Sequence, residues 1–412
     1  MNHQPLVFGL LLAPALWGQE PLLARPDVRK ALDYLRDRHQ VHIEQQIAIA
    51  QVPAPPFQEG ERAAVLEREF RRAGLSEVEI DPKGNVLGWR PGRFPRALVI
   101  AAHLDTVFPP GTDVTVRRGK TRLQGPGLAD DTRGLVGLVA LAEALAHASI
   151  ETSRTLLFVA DVGEEGLGNL RGIRYLFQEG RHRDRLDAFL SMDGTDPARI
   201  VTREMGSRRY KIVVRGPGGH SWGDFGRVNP HHALGRIIAR FAEVEVPAEP
   251  KTSFNVGRMG GGTSVNSIPF ESWMEVDMRS GDEAELAKVE KQLLHMARLG
   301  VEEENRYRVK SGTRLELDAQ LLGVRRAAST PESSPLVAAA LRAARVMGVS
   351  AQPALGSTDS NVPMNLGIPA ITIGGGGQSG NLHSLEEWFE PDGAWRGFQQ
   401  ALLTILAFDE TK

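Results

Sequence analysis

Five residues spread along the chain, His103, Asp130, Glu165, Asp193 and His383, are of the types that hold divalent cations. Two imidazoles with three carboxylates form a donor mixture suited to zinc-class ions. The chain contains no cysteine, so disulfides and thiolate metal sites are excluded. Were one carboxylate shared between two ions, each would keep one imidazole and one terminal carboxylate, with room for a hydroxide between them. The chemistry of such a pair is hydrolysis.

The local patterns are weaker than the set. In His103-Leu104-Asp105, alternate residues leaving a strand point to one side, so the acid can serve the imidazole's second ring nitrogen. A surface pair has the same spacing. Asp130-Asp131 lies between Gly125 and Gly134 at the start of an apolar run. Helix capping accounts for two acids there as readily as catalysis does, although the flanking glycines point to an unusual backbone path. Glu164-Glu165 follows a second buried run, where one acid can be a ligand and its neighbour a general acid or base. Solvated loop acids are the alternative. Asp193 and His383 carry no distinctive local pattern.

Residues 97–102 and 155–160 are continuous apolar runs, each suited to a strand buried on both faces. Between them 134–148 reads as a buried helix, giving a βαβ unit and a mostly parallel sheet. Helices are expected over 26–49 and 61–73, the latter ended by Gly74. From 208 to 318 the order is βαββαβ, a ferredoxin-like arrangement, with its last strand over 306–317. Strand and helix alternation then resumes at 336–347 and 370–373. The fold class is therefore α/β: a central sheet flanked by helices, phosphorylase/hydrolase-like, carrying an inserted ferredoxin-like α+β domain. The expected bounds are 20–206 and 313–412 for the catalytic domain and 207–312 for the insertion.

With 412 residues the chain is long enough for two cores. A net charge of −2 without a basic run excludes a nucleic-acid binder. Leu6–Leu16 is too short to span a bilayer and has the length of a signal-peptide core, so residues 1–19 are read as an export signal. A cytoplasmic protein with an apolar N-terminal segment is the alternative.

These motifs, in this order, resemble the M20 family of metallopeptidases over nearly the whole chain after about residue 30. The resemblance implies two divalent ions, Zn2+ or else Co2+ or Mn2+. His103 and Asp193 would hold one, Glu165 and His383 the other, and Asp130 would bridge them, with the Asp130–Asp131 peptide bond expected to be cis. Glu164 would be the general base for the attacking hydroxide, and Asp105 would orient His103. The insertion would be a lid and dimerisation domain, so a homodimer is implied. In Gly218-Gly219-His220-Ser221, His220 would stabilise the oxyanion, often across the dimer. Asn266, Arg279, Gly356 and Ser357 match substrate-contacting positions. The expected substrate is a small peptide, or alternatively an N-acyl amino acid. A non-catalytic binding protein of this fold is a third reading, opposed by the presence of Glu164 and all five donors.

Overall fold

Apolar runs with no polar face to offer water become strands only where other elements cover both sides. In the computed structural model, which describes residues 21–307 and 313–411, the runs at 97–102, 155–160 and 370–373 are central strands of one mixed sheet. The export signal read at 1–19 lies outside the described residues. The strands of the first part are β1 (Ser76–Ile80), β2 (Val86–Arg90), β3 (Phe94–His103), β4 (Arg154–Asp161), β5 (Leu186–Met192) and β6 (Arg199–Glu204). An inserted domain contributes β7 (Gly206–Arg215), β8 (Thr252–Gly261), β9 (Glu271–Ser280) and β10 (Glu316–Arg325). The chain then adds β11 (Ala328–Ser329), β12 (Gln352–Gly356) and β13 (Ala370–Ile373) to the first sheet.

The sheet runs β1-β2-β4-β3-β5-β13-β6, with β11 and β12 both paired to β6. β4, β3, β5 and β13 are mutually parallel; β2 and β6 flank them antiparallel, and β1, antiparallel to β2, runs again in the direction of the central four. Strand alternation sends Leu98, Ile100 and Ala102 of β3 into one layer and Ala97, Val99 and Ala101 into the other.

The helices are α1 (Pro26–Asp37), α2 (His39–Ala50), α3 (Gly60–Arg72), α4 (Thr132–His147), α5 (Pro230–Ala242), α6 (Glu283–Tyr307), α7 (Pro335–Val346) and α8 (Trp395–Asp409). α4 is buried on most of its circumference, as its sequence requires, and packs beside β3 and β4. Full burial of a leucine such as Leu138 or Leu141 is worth about 1.5–3 kcal/mol, so this helix is fixed mainly by packing. α3 ends where Gly74 takes φ 82° and Leu75 N–H returns to the Phe70 carbonyl at 3.1 Å.

The inserted domain has the order β7-α5-β8-β9-α6-β10, with an antiparallel sheet β8-β9-β7-β10. β9 alternates strictly between buried and half-buried residues, and its buried Met274, Val276 and Met278 meet α5 and α6. The strand expected over 306–317 begins instead at Glu316, because α6 continues to Tyr307 with Val301 still in the core. β10 pairs along the length of β7, so the inserted sheet runs from Gly206 to Arg325.

Candidate metal centre

Because β3, β4 and β5 are parallel, their carboxyl ends meet at one edge of the sheet. His103 is the last residue of β3, Glu164 and Glu165 lie just past β4, and Asp193 follows β5. The Asp193 N–H bonds the Ile373 carbonyl of β13 at 3.0 Å. Asp130 enters from the loop that opens α4, where Asp131 caps the helix by accepting from Gly134 N–H at 3.1 Å. The Asp130–Asp131 peptide is cis. His383 comes from the loop after β13, where Asn381 and His383 both take left-handed φ (55° and 63°). Non-glycine residues seldom adopt that conformation away from special sites.

The five donors converge. Asp130 Oδ1 is 3.1 Å from His103 Nε2, and its Oδ2 is 3.0 Å from His383 Nε2. His383 Nε2 is also 3.0 Å from Glu165 Oε1. Two clusters of possible ligand atoms result, His103–Asp130–Asp193 and Asp130–Glu165–His383, each with its atoms within 4.8 Å of one another. Asp130 belongs to both. A third grouping, His103–Glu164–Glu165, overlaps them. Nitrogen and oxygen donors disposed in two triads around a shared carboxylate fit a pair of divalent cations.

The electrostatics point the same way. Burial pushes the Asp193 carboxyl up to about 6, and the nearby Asp130 charge adds to that rise. Hydrogen bonds to Asp130 and Glu165 lift His383 to about 10. Burial opposes charge on His103, but its bond to Asp130 and the surrounding carboxylates outweigh that and raise it. Burial drives Glu164 up to about 8, against the pull of Arg325. The metal-free cleft thus holds protons that cations would replace.

Supporting residues fix the donor loops. The Asp105 carboxylate accepts from Gly163, Glu164 and Glu165 N–H at 2.8, 3.1 and 2.9 Å. The bond to His103 Nδ1 is made instead by the Asp105 main-chain carbonyl at 2.9 Å, with the carboxylate 3.9 Å away. Asp105 therefore serves both motifs, orienting His103 through its backbone and the glutamate loop through its side chain. Glu387, fully buried, accepts from Gly127, Ala129 and Asp130 N–H at 3.0, 2.7 and 3.2 Å. It stands four residues beyond His383, and nothing in its own neighbourhood marks it as a loop clamp. Arg325 was missed for the same reason: it is buried, and donates to Glu164 Oε1 and to Ser357 Oγ from a strand of the inserted domain.

A cavity of about 500 Å³ contains the donors and Glu164, and is also lined by Arg199, Arg209, Arg279, Arg325 and Ser357. Arg279 and Ser357 are thus brought to the site. Gly356 lies one residue outside the lining, its carbonyl bonded to Met205 N–H at 2.8 Å. His220 and Asn266 are not brought there. They lie on a short exposed ladder, His220 paired with Ser267 and the Asn266 carbonyl accepting from Ser221 N–H.

Comparisons with known proteins agree with this architecture. The uncharacterized protein YgeY of Escherichia coli (strain K12) is 26% identical over 226 residues, 53% of each chain. The match thus spans about half the length of that relative. The aminopeptidase PepT of Bacillus cereus has a similar fold, with TM-score 0.70 and 20% identity over 90% of this chain and 98% of that one. An amidase of the hydantoinase/carbamoylase family from Burkholderia vietnamiensis superposes with TM-score 0.69 and 18% identity, over 90% and 97% of the two chains. Residues 99–406, from β3 to α8 and including every donor, match the profile of peptidase family M20/M25/M40, and the chain belongs to that family.

Proposed function

We propose that the protein hydrolyses the peptide bonds of small peptides at a centre of two divalent ions, zinc being the first candidate. The observation that carries this reading is the pair of donor triads sharing Asp130, with Glu164 facing the same cavity. Bound divalent ions would activate water and polarise the scissile carbonyl. In this reading His103 and Asp193 would hold one ion, Glu165 and His383 the other, and Asp130 would serve both. The Glu164 carboxylate takes the proton of the attacking water and delivers it to the leaving amine. Arg279 binds a substrate carboxylate, for which a planar guanidinium offers paired donors. His220 and Asn266 reach the site from a second copy through the inserted domain, which accounts for their exposure here. The assignment is tested with a panel of di- and tripeptides and N-acyl amino acids on zinc-loaded protein, beside Glu164→Gln and a chelated sample. Cleavage lost in both controls supports it. Cleavage that survives chelation, or protein that binds no metal, sinks it.

A second reading, hydrolysis of N-acyl amino acids, is favoured by the charges of the cavity. Its acidic lining residues are Asp130, Glu164, Glu165 and Asp193, all engaged above, against four arginines. No lining acid remains to pair a free α-ammonium, whereas Arg199 and Arg279 can meet a substrate carboxylate even with Arg325 held at Glu164 and Arg209 and Arg279 sharing Asp277. The same panel separates the readings by whether acetylating the substrate's amine raises or abolishes turnover.

A further inference from the structure

The general-base role of Glu164 leaves open what fixes its side chain, and the answer lies in the other domain. β10 ends at Arg325, which pairs with Ser207 where the chain crosses between domains. Its side chain is only 4% exposed and turns back to the catalytic loop. Nη1 donates to Glu164 Oε1 at 3.1 Å and to Ser357 Oγ at 3.2 Å, while Nη2 donates to the Glu164 carbonyl at 2.6 Å. Arg209 on β7 donates to the carbonyl of Gly166 and, at 3.0 Å, to Asp277 Oδ1. The crossing strands thus hold the carbonyls of this loop, and Asp105 holds its N–H groups from the opposite side.

Resting on the reading of Glu164 as the base, we infer that Arg325 is a positioning residue: it occupies Glu164 Oε1 and the Glu164 carbonyl, so that Oε2 is presented as the proton acceptor. Among the described residues no donor reaches Oε2. A guanidinium that grips a side-chain oxygen and the main-chain carbonyl of one residue fixes both its backbone and its side-chain torsions, which a single contact would not do. Proton transfer depends steeply on such placement, because the acceptor oxygen must lie within hydrogen-bond reach of the water. A purely structural Arg325, buried only to fill space and balance charge, makes a different prediction. It would lower stability without singling out kcat or depending on Glu164.

The test compares zinc-loaded Arg325→Met and Arg325→Lys with the parent, each also in the Glu164→Gln background. Arg325→Met should lower kcat about 100-fold with KM within about threefold, at unchanged metal content. Arg325→Lys, whose ammonium still reaches one acceptor, should recover about tenfold of that loss. In the Glu164→Gln background Arg325→Met should cost less than about threefold more, because the two act as a unit. An unchanged kcat, or an equal fold-loss in both backgrounds, overturns the inference while leaving the function standing. Full activity of Glu164→Gln itself overturns the function instead. The clamp is also read without substrate: deuterium uptake over 160–170 should rise about tenfold in Arg325→Met relative to distant segments. Uptake equal to the parent's overturns it.

Discussion

Asp130 Oδ2 lies 3.0 Å from Nε2 of His383, a residue 253 positions further along the chain. The other oxygen of Asp130 meets His103. One carboxylate thus joins an imidazole at the end of β3 to another from the loop after β13, so its removal should act on both donor triads. Asp130→Ala is expected to bind neither ion at micromolar metal and to lose activity by about 10³-fold or more, whereas Asp193→Ala should retain one ion. Metal content per chain, measured after gel filtration, decides it. Equal stoichiometry in the two variants would refute the shared role.

Metal affinity should climb with pH well past neutrality. His383 is held near 10 by Asp130 and Glu165, and His103 is raised by its bond to Asp130 despite burial. An imidazolium cannot ligate, so each must release its proton on binding, and lower pH favours the metal-free state. A competition titration at pH 6, 7 and 8 should show affinity rising about tenfold per unit for each proton displaced. A flat profile would contradict the hydrogen bonds on which the raised values rest.

Glu387 makes the stability of the metal-free protein fall with pH. Burial raises its carboxyl from the usual 4.5 to about 7, against three backbone N–H bonds. The unfolded chain releases that proton at lower pH, so the contribution is whole below about 4.5 and is lost as pH rises through 7. The loss is on the order of 3 kcal/mol. Urea unfolding at pH 5, 6, 7 and 8 should show this slope in the parent and a shallower one in Glu387→Gln. Identical slopes would mean that another group is responsible.

The three N–H groups gathered by Asp105 predict a large effect from a small change. Asp105→Ala leaves those donors buried and unpaired, at about 1–3 kcal/mol each. Thermal melting should show a drop of several degrees, and kcat should fall about 100-fold as Glu164 loses its support. A variant as stable and active as the parent would show that the loop is held elsewhere.

His220 stands on an exposed ladder outside the cavity, which makes its role testable by subunit mixing. Glu164→Gln and His220→Ala are each expected to be nearly inactive. Co-refolded in equal amounts, they should regain about a quarter of the parent activity, because half the dimers carry one complete site. Light scattering that finds only monomer, or mixing without recovery, would exclude a shared site.

The order of the elements and the identities of the donors were legible in the sequence because they depend on local pattern. The apolar run 97–102 can only be a covered strand, and His103 closes it; the same holds for 155–160 with Glu164 and Glu165 just beyond. The βαββαβ order of the insertion was equally plain, since alternation such as that of Glu271–Ser280 is visible without neighbours. The last strand was misplaced by about ten residues because Glu316–Arg325 leaves even Leu321 and Leu322 exposed and shows no buried alternation, so only its partner β7 defines it as a strand. Arg325, Arg209 and Glu387 were invisible for a related reason. Each acts on a loop more than 40 residues away, and long-range hydrogen bonds leave no periodicity in the chain. Residue type and spacing therefore determined which groups can do the chemistry. The packing of parallel strands and the return of β10 from the second domain decided how those groups are aimed, because only folding brings such distant residues within bonding distance.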